Sequence, residues 1–317
     1  MAPTSTYFIS CDWGTSNLRL RVVARPSLTV VARHRSDLGI KLVHDRFRAS
    51  GVVSRSEYFL SQLRQQLNGL PAEHRHHTVI VSGMASSSIG LKELPYAELP
   101  LEGEGGGLIT EWLSFDAIQR LLLVSGVRTT DDIMRGEETQ AIGALPHFAG
   151  GSGTLLLPGT HSKHLSVHRG KIAVFTTYLT GELFELLTTH SILAASVEHA
   201  DLEASGTHRA AFREGLRKSA GGTLSSKLFG VRVREVLNSA AATDNYYYLS
   251  GLLIGDEIRG LTQSRDSVHL VAEGVLLELY RMALTYYLPT ASLTFHHQEI
   301  LLIGGQYKLL QRHERPA

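Results

Sequence analysis

Apolar residues fall into short runs separated by glycine, proline and polar clusters, and the spacing within the runs changes along the chain. At the N-terminus the period is two. Residues 6–11, 17–23 and 28–34 predict three strands, with Leu18, Leu20 and Val22 alternating against Arg19 and Arg21, and "RPS" as a turn. From Ser54 the period is helical: Phe59, Leu60, Leu63 and Leu67 form a stripe, Ser54 and Glu57 a capping box, and Gly69 and Pro71 a stop. "TVIVSG" (78–83) predicts a strand buried on both faces that empties into "MASSSIG". The strand "LLLVSGV" follows, then a helix starting near Glu137. "GGSG" (150–153) reads as an inter-domain hinge. Past it come the strand "TLLLPG", the turn "THSK", the strand "HLSVH", the turn "RG" and the strand "KIAVFTTYL". Helices are predicted over 181–195 and 246–261. "SVHLVAEG" predicts a strand running into a glycine turn, followed by a further helix. "EILLIGG" reads as a last strand and "QRHERPA" as a loose tail.

The second half repeats the opening of the first. At an offset of 145 residues, Gly14 meets Gly159, Thr15 meets Thr160, Leu20 meets Leu165 and Val22 meets Val167. The order of elements matches too: strand, Gly-Thr turn, alternating strand, turn, strand. Two related lobes are expected, each opening on a hairpin that presents a Gly-Thr turn.

Composition narrows the function without choosing it. At 317 residues the chain has room for about two domains. With 31 basic and 30 acidic residues, the net charge of +1 does not support a nucleic-acid partner. One cysteine, Cys11, excludes an internal disulfide and a thiolate zinc site. The N-terminus carries no secretory pattern and no apolar run is long enough to span a bilayer, so no membrane partner is expected and the cytoplasm is. The histidine cluster "EHRHH" (73–77) reads as a solvated loop.

Two Gly-Thr turns facing one another would offer unpaired backbone N–H groups and hydroxyls to a polyphosphate. Lys163, in the second turn, adds a mobile cation. Asp12, just before the first turn, would repel a phosphate unless a cation came between them, and Mg²⁺ fits that role. Phosphoryl transfer also needs a base near the acceptor oxygen. Glu137 and Glu138, at a helix start, are candidates, with Arg135 beside them to pair with an acid or bind an anion. The P-loop, zinc-protease and esterase patterns are absent.

The turns "DWGTSN" and "PGTHSK", within a duplicated strand–turn–strand pattern, resemble the superfamily of sugar kinases, actin and heat-shock chaperone ATPases. More narrowly, "DWGTSNLRLR", "SGMASSSIGLKELPY", "LEGEGGGL", "MRGEETQAIGAL", "LLPGTHSKHLSV", "TYLTGELFELL" and "YLSGLLIGDEI" resemble the 2-dehydro-3-deoxygalactonokinase family over roughly residues 7–260. The resemblance implies an α/β protein of two related lobes of the actin-like ATPase (ribonuclease H-like) type with an interdomain nucleotide cleft. The lobes are expected over 1–148 and 149–317. It implies ATP and Mg²⁺ as cofactors, and transfer of phosphate to the terminal hydroxyl of 2-dehydro-3-deoxygalactonate.

Residue by residue, the resemblance implies Asp12 as the magnesium ligand, and Gly14, Thr15, Ser16 and Asn17 as the first phosphate turn. Gly159, Thr160, His161, Ser162 and Lys163 form the second. Glu137 is implied as the base, with Glu138 its rival. Ser82, Met84, Ala85 and Ser86 are placed with the substrate, and Glu273 and Gly274 at the adenosine turn. Arg19 and Arg135 are candidates for the substrate carboxylate. The second phosphate turn has Leu157 and Pro158 where actin and the chaperones carry an acid, which favours the sugar-kinase branch. A kinase for another sugar acid, or a non-catalytic sensor on the same fold, stays open, as does a homodimer.

Overall fold

The computed structural model describes residues 6–114, 119–148, 151–263 and 267–314. The alternating N-terminal segments form β1 (Tyr7–Trp13), β2 (Leu18–Ala24) and β3 (Val30–Ser36). They make an antiparallel meander, with Trp13 opposite Leu18 and Asp12 opposite Arg19. β3 starts two residues later than expected, because Leu28 lies in the turn with φ +58°. Helices α1 (Ile40–Ser50) and α2 (Arg55–Leu67) follow. The Ser54 hydroxyl accepts from the Glu57 amide at 3.3 Å, so the predicted cap forms, and Phe59, Leu63 and Leu67 are buried. α1 leaves little trace in the hydrophobic pattern, because its buried face is only Ile40 and Val43.

β4 (Val79–Gly83) is buried at every position and lies parallel to β1. β5 (Ala97–Glu98), β6 (Thr110–Ser114), β7 (Arg120–Val124), β8 (Val127–Arg128), β9 (Ile133–Met134) and α3 (Glu137–Ala144) complete this part of the chain. The main sheet has the order β3-β2-β1-β4-β7-β6, and β5, β8 and β9 form a small sheet. The loop 73–77 is less solvated than expected: His77 is buried and stacks on Tyr7 with ring centroids 5.4 Å apart.

The second half runs β10 (Gly153–Leu157), β11 (Ser162–His168), β12 (Lys171–Tyr178) and α4 (Thr180–Thr189). Then come α5 (Gly206–Ser219), α6 (Leu224–Leu228), α7 (Gly230–Asn238), α8 (Ala242–Ile258), β13 (Ser267–Val271), α9 (Gly274–Tyr287) and β14 (Leu293–His296). The helix expected over 181–195 stops at Thr189. The Ser191 hydroxyl accepts from the Leu193 amide at 3.0 Å and starts a separate 3-10 turn. The sheet order is β12-β11-β10-β13-β14, with β13 parallel to β10 and β14 parallel to β13. The first sheet has the same plan: a three-strand meander, then two strands added parallel to its first strand. This is the duplicated α/β plan of the actin-like ATPases, and it extends the sequence repeat well beyond four identities.

The last segment overturns an expectation. Residues 299–314 are neither strand nor tail but lie in α10 (Gln298–Glu314), which buries Leu301, Gly305 and Leu309, and Leu302, Gln306 and Leu310, at helical spacing. Gly304 and Gly305, at the end of the segment read as a strand, lie where this helix packs closely on α3. By compactness one unit comprises Met1–Gly151, Val167–Phe175 and Glu299–Ala317, and the other Ser152–Ser166 and Thr176–Gln298. The chain passes from one to the other within "GGSG", of which Gly150 lies outside the described residues, and α10 groups with the first unit. Among the described residues, no helix is long and apolar enough to cross a membrane.

Candidate active site

Each Gly-Thr turn is held by the helix that follows its meander. In the first, the Gly14 amide donates to Asn17 O at 2.9 Å. The Gly14 and Thr15 carbonyls accept from the amides of Ile40 and Lys41 at the start of α1, at 3.0 and 3.2 Å. In the second, the Thr160 carbonyl accepts from the Glu182 amide, in the first turn of α4, at 3.0 Å. Both contacts require glycine. A Cβ on Gly39 would lie 2.2 Å from the Thr15 carbonyl oxygen, and one on Gly181 2.5 Å from that of Gly159. With the carbonyls occupied, the amides of Thr15, Ser16, Thr160 and His161 have no hydrogen-bond partner among the described residues. Rows of unpaired N–H groups are what an oxyanion needs. Gly181→Ala is therefore expected to displace the second turn, destabilise the protein by about 1–3 kcal/mol and raise KM for ATP. A thermal melt and an ATP titration check this, and an unchanged KM would contradict it.

Asp12 sits at the end of β1 with Arg19 directly across the strand pair, and their side chains form an ion pair at 2.9 Å. Arg19 is thus committed to Asp12. The Asp12 Oδ1 has no partner among the described residues, and no cluster of three metal-ligating side chains occurs among them. One available carboxylate oxygen fits Mg²⁺, which is held through one or two carboxylates and the phosphates of its substrate, and not through a protein cage.

The residues placed with the substrate divide by burial. Ser82, Ala85 and Ser86 are buried and Met84 is half-buried. The Arg135 guanidinium donates to Ser86 O at 2.7 Å and covers the Tyr96 ring with its carbon 4.2 Å from the centroid.

Glu137 and Glu138 occupy the first turn of α3 but differ in environment. Glu137 is half-buried, and its Oε2 accepts from the Arg135 amide at 3.1 Å. Glu138 has no exposed surface. Its Oε2 accepts from the Gly136 amide at 2.6 Å, and its Oε1 lies 3.1 Å from the Thr139 hydroxyl, which is also 3.1 Å from Ser82 Oγ. Burial, and then the charge of Glu137, push the Glu138 carboxyl up to about 8. The raised carboxyl favours the protonated form, which can donate to Thr139 while Thr139 donates to Ser82.

In the second turn, Ser162 and Lys163 are buried, contrary to the mobile cation expected at Lys163. The Lys163 ammonium donates to His161 O at 3.1 Å, and the Ser162 hydroxyl to Glu257 Oε1 at 2.7 Å. Glu257, on α8, was missed from the sequence. It also accepts from Thr180 and, at 2.7 Å, from the Tyr280 hydroxyl, and its Oε1 lies 2.8 Å from His164 Nε2. Burial alone would raise its carboxyl, but the hydrogen bonds and charge of His164, Thr180 and Ser162 outweigh it and hold the group below the usual range. His161 is exposed and pairs with Glu182 at 2.6 Å. An acid inside the apolar run "GLLIGDEI" was the available signal.

Beside the second turn lies a pocket of about 290 Å³. Gly159 and Gly181 form part of its wall, with Phe184 and Tyr246, whose rings meet edge to face at 4.8 Å, and Val275 and Leu276 from the first turn of α9. Glu273, the N-cap of that helix, is exposed and pairs with His297 at 3.0 Å. Glu273 and Gly274 therefore adjoin the pocket without lining it. Phe184 and Tyr246 had looked like ordinary helix positions.

A sequence model described as 2-keto-3-deoxy-galactonokinase matches residues 12–305. A Rhizobium meliloti (strain 1021) protein assigned as a 2-dehydro-3-deoxygalactonokinase is 36% identical over 290 residues, 89% of this chain and 90% of the relative. A crystal structure of a Sinorhizobium meliloti protein assigned to the same activity superposes with a TM-score of 0.79 at 30% identity, over 98% of both chains. Component A of the Acidaminococcus fermentans (R)-2-hydroxyglutaryl-CoA dehydratase shares the fold, with a TM-score of 0.50 at 12% identity over 98% of this chain and 100% of that one.

Proposed function

This chain belongs to the 2-keto-3-deoxy-galactonokinase family, and from that membership we propose that it transfers the γ-phosphate of ATP to the terminal hydroxyl of 2-dehydro-3-deoxygalactonate, giving the 6-phosphate. The observation that carries the reading is the repeated Gly-Thr turn, tied down by its carbonyls and left with unpaired amides. The first turn, with Asp12, and the second, from Gly159 to Lys163, bind the phosphate chain of cytoplasmic ATP. Asp12, through its available carboxylate oxygen, would hold Mg²⁺, which would supply positive charge against the phosphates.

Glu137 accepts the proton of the attacking hydroxyl. It is half-buried, which suits that task, whereas burial and the charge of Glu137 push the Glu138 carboxyl up to about 8 and favour its neutral form. The adenosine enters the pocket beside Gly159, where Tyr246 and Phe184 offer aromatic faces. Of the two arginines considered for the substrate carboxylate, Arg135 is favoured because Arg19 is paired with Asp12.

The test is ATP-dependent ADP release against a panel of 2-keto-3-deoxy sugar acids that includes the galactonate- and gluconate-derived epimers. Preference for the galactonate-derived acid is expected, and no turnover on any member would undo the reading. Tyr246→Ala is expected to raise KM for ATP about tenfold with kcat kept, since a stacking aromatic contributes roughly 1–3 kcal/mol per base. An unaltered KM would remove the adenosine from this pocket.

A further inference from the structure

The C-terminal helix touches the catalytic helix backbone to backbone. A Cβ on Gly305 would lie 1.8 Å from the Thr139 carbonyl oxygen, and one on Gly143 1.9 Å from that of Leu301. A shift of α10 is therefore passed on to α3. Beside this crossing Gln306 is fully buried. Its Nε2 donates to Cys11 O and to Ser82 Oγ, each at 3.1 Å. Cys11 precedes Asp12 on β1, and Ser82, near the end of β4, is the group the Thr139 hydroxyl reaches at 3.1 Å.

Ion pairs fasten α10 near both ends. Arg21 and Arg33 hold Glu299 at 2.6 and 2.8 Å, and Arg25 holds Glu314 with one bond at 2.9 Å. Between them Lys308 donates to Ile142 O, on α3, at 3.0 Å. The Gln306 Oε1 is buried and has no partner among the described residues. An unpaired buried acceptor is unfavourable, and leucine at this position would avoid it. Stability alone is thus a poor reason for glutamine here. What its amide does is join β1, which carries Asp12, to the end of β4, where Ser82 meets Thr139 of the helix that carries Glu137.

We propose that Gln306 is a positioning residue for the phosphoryl transfer. Through Ser82 and Thr139 it sets α3, and with it Glu137, against the end of β1 that bears Asp12. The inference rests on the kinase reading above, with Glu137 as its base. Misplacement of a reacting group by a fraction of an ångström to an ångström lowers turnover more than binding.

Gln306→Leu is expected to lower kcat about 10–100-fold and to leave KM for ATP within about threefold. Thr139→Val should act through the same chain. The double variant should then fall no more than about threefold below the weaker single one. Thr139→Ser, which keeps the hydroxyl, should restore most of the kcat lost in Thr139→Val. Normal kcat in folded Gln306→Leu, or single effects that multiply, overturns the proposal. If Gln306→Leu fails to fold, the threonine pair decides, and equal kcat in Thr139→Val and Thr139→Ser overturns it. Absence of wild-type turnover overturns the kinase reading and this inference together. Active wild type and inactive Glu137→Gln beside a normal Gln306→Leu overturns this inference alone.

Discussion

Glu137→Gln is expected to lower kcat by about 10²–10⁴-fold while ATP still binds, because the variant keeps the shape of the side chain and loses only its capacity to take a proton. The neighbouring substitution should behave differently. Burial and the charge of Glu137 push the Glu138 carboxyl up to about 8, so at pH 7 it is mostly the neutral acid, for which glutamine is a close substitute. Glu138→Gln is therefore expected to keep kcat within about tenfold of the wild type, well short of the loss assigned to a general base. Measuring kcat for both variants at saturating ATP and sugar acid separates the two roles, and collapse of Glu138→Gln with an active Glu137→Gln would reverse them.

The same carboxyl predicts a pH effect on stability. Its folded value of about 8 stands above the ordinary 4.5, so between those values the folded protein holds a proton that the unfolded chain has released. Stability should fall as pH rises through that window. Glu138→Gln removes this contribution, and its melting temperature should gain on the wild type between pH 5 and 8. Parallel melting curves across that range would show that burial does not raise the group.

Asp12→Asn is expected to lower kcat by about 10²–10³-fold, the range seen when one preorganised electrostatic contact to the transition state is removed, and to raise the Mg²⁺ concentration needed for half-maximal rate. It also leaves Arg19 without its 2.9 Å partner. Rate against Mg²⁺ concentration, measured for Asp12→Asn and for Arg19→Ala, isolates the metal effect. An unchanged Mg²⁺ dependence in Asp12→Asn would detach the acid from the metal.

Much of this architecture was legible because its signals are local. Alternation of Leu18, Leu20 and Val22 is enough to read a strand. Ser54 and Glu57 mark a helix start within four residues. The Gly-Thr turns could be paired by their constant offset together with the matching order of elements around them. Where the period was weak, the reading failed. α1 shows only two buried positions, and in α10 the run "EILLIGG" reads as a strand although its glycines mark the crossing with α3. A glycine carries the same letter whether it bends the chain or admits a neighbouring backbone, and only the neighbour tells which.

The candidate site divides along the same line. By itself the sequence determined that the chain carries two matching turns, an acid at the mouth of the first, a pair of acids opening a helix, and a family likeness that joins them. Each of these depends on residues close together in the chain or on a repeat that can be counted. Only the tertiary structure decided which of the two adjacent acids is buried, with its carboxyl pushed up by that burial. It alone showed that Arg19 is taken by Asp12, that Ser162 and Lys163 are tied to Glu257 and His161, and that Gln306 reaches both β1 and β4. The physical reason is that charge state and side-chain role depend on desolvation and on the nearest partner. For Glu257 and Gln306 that partner stands 95 and 295 residues away along the chain.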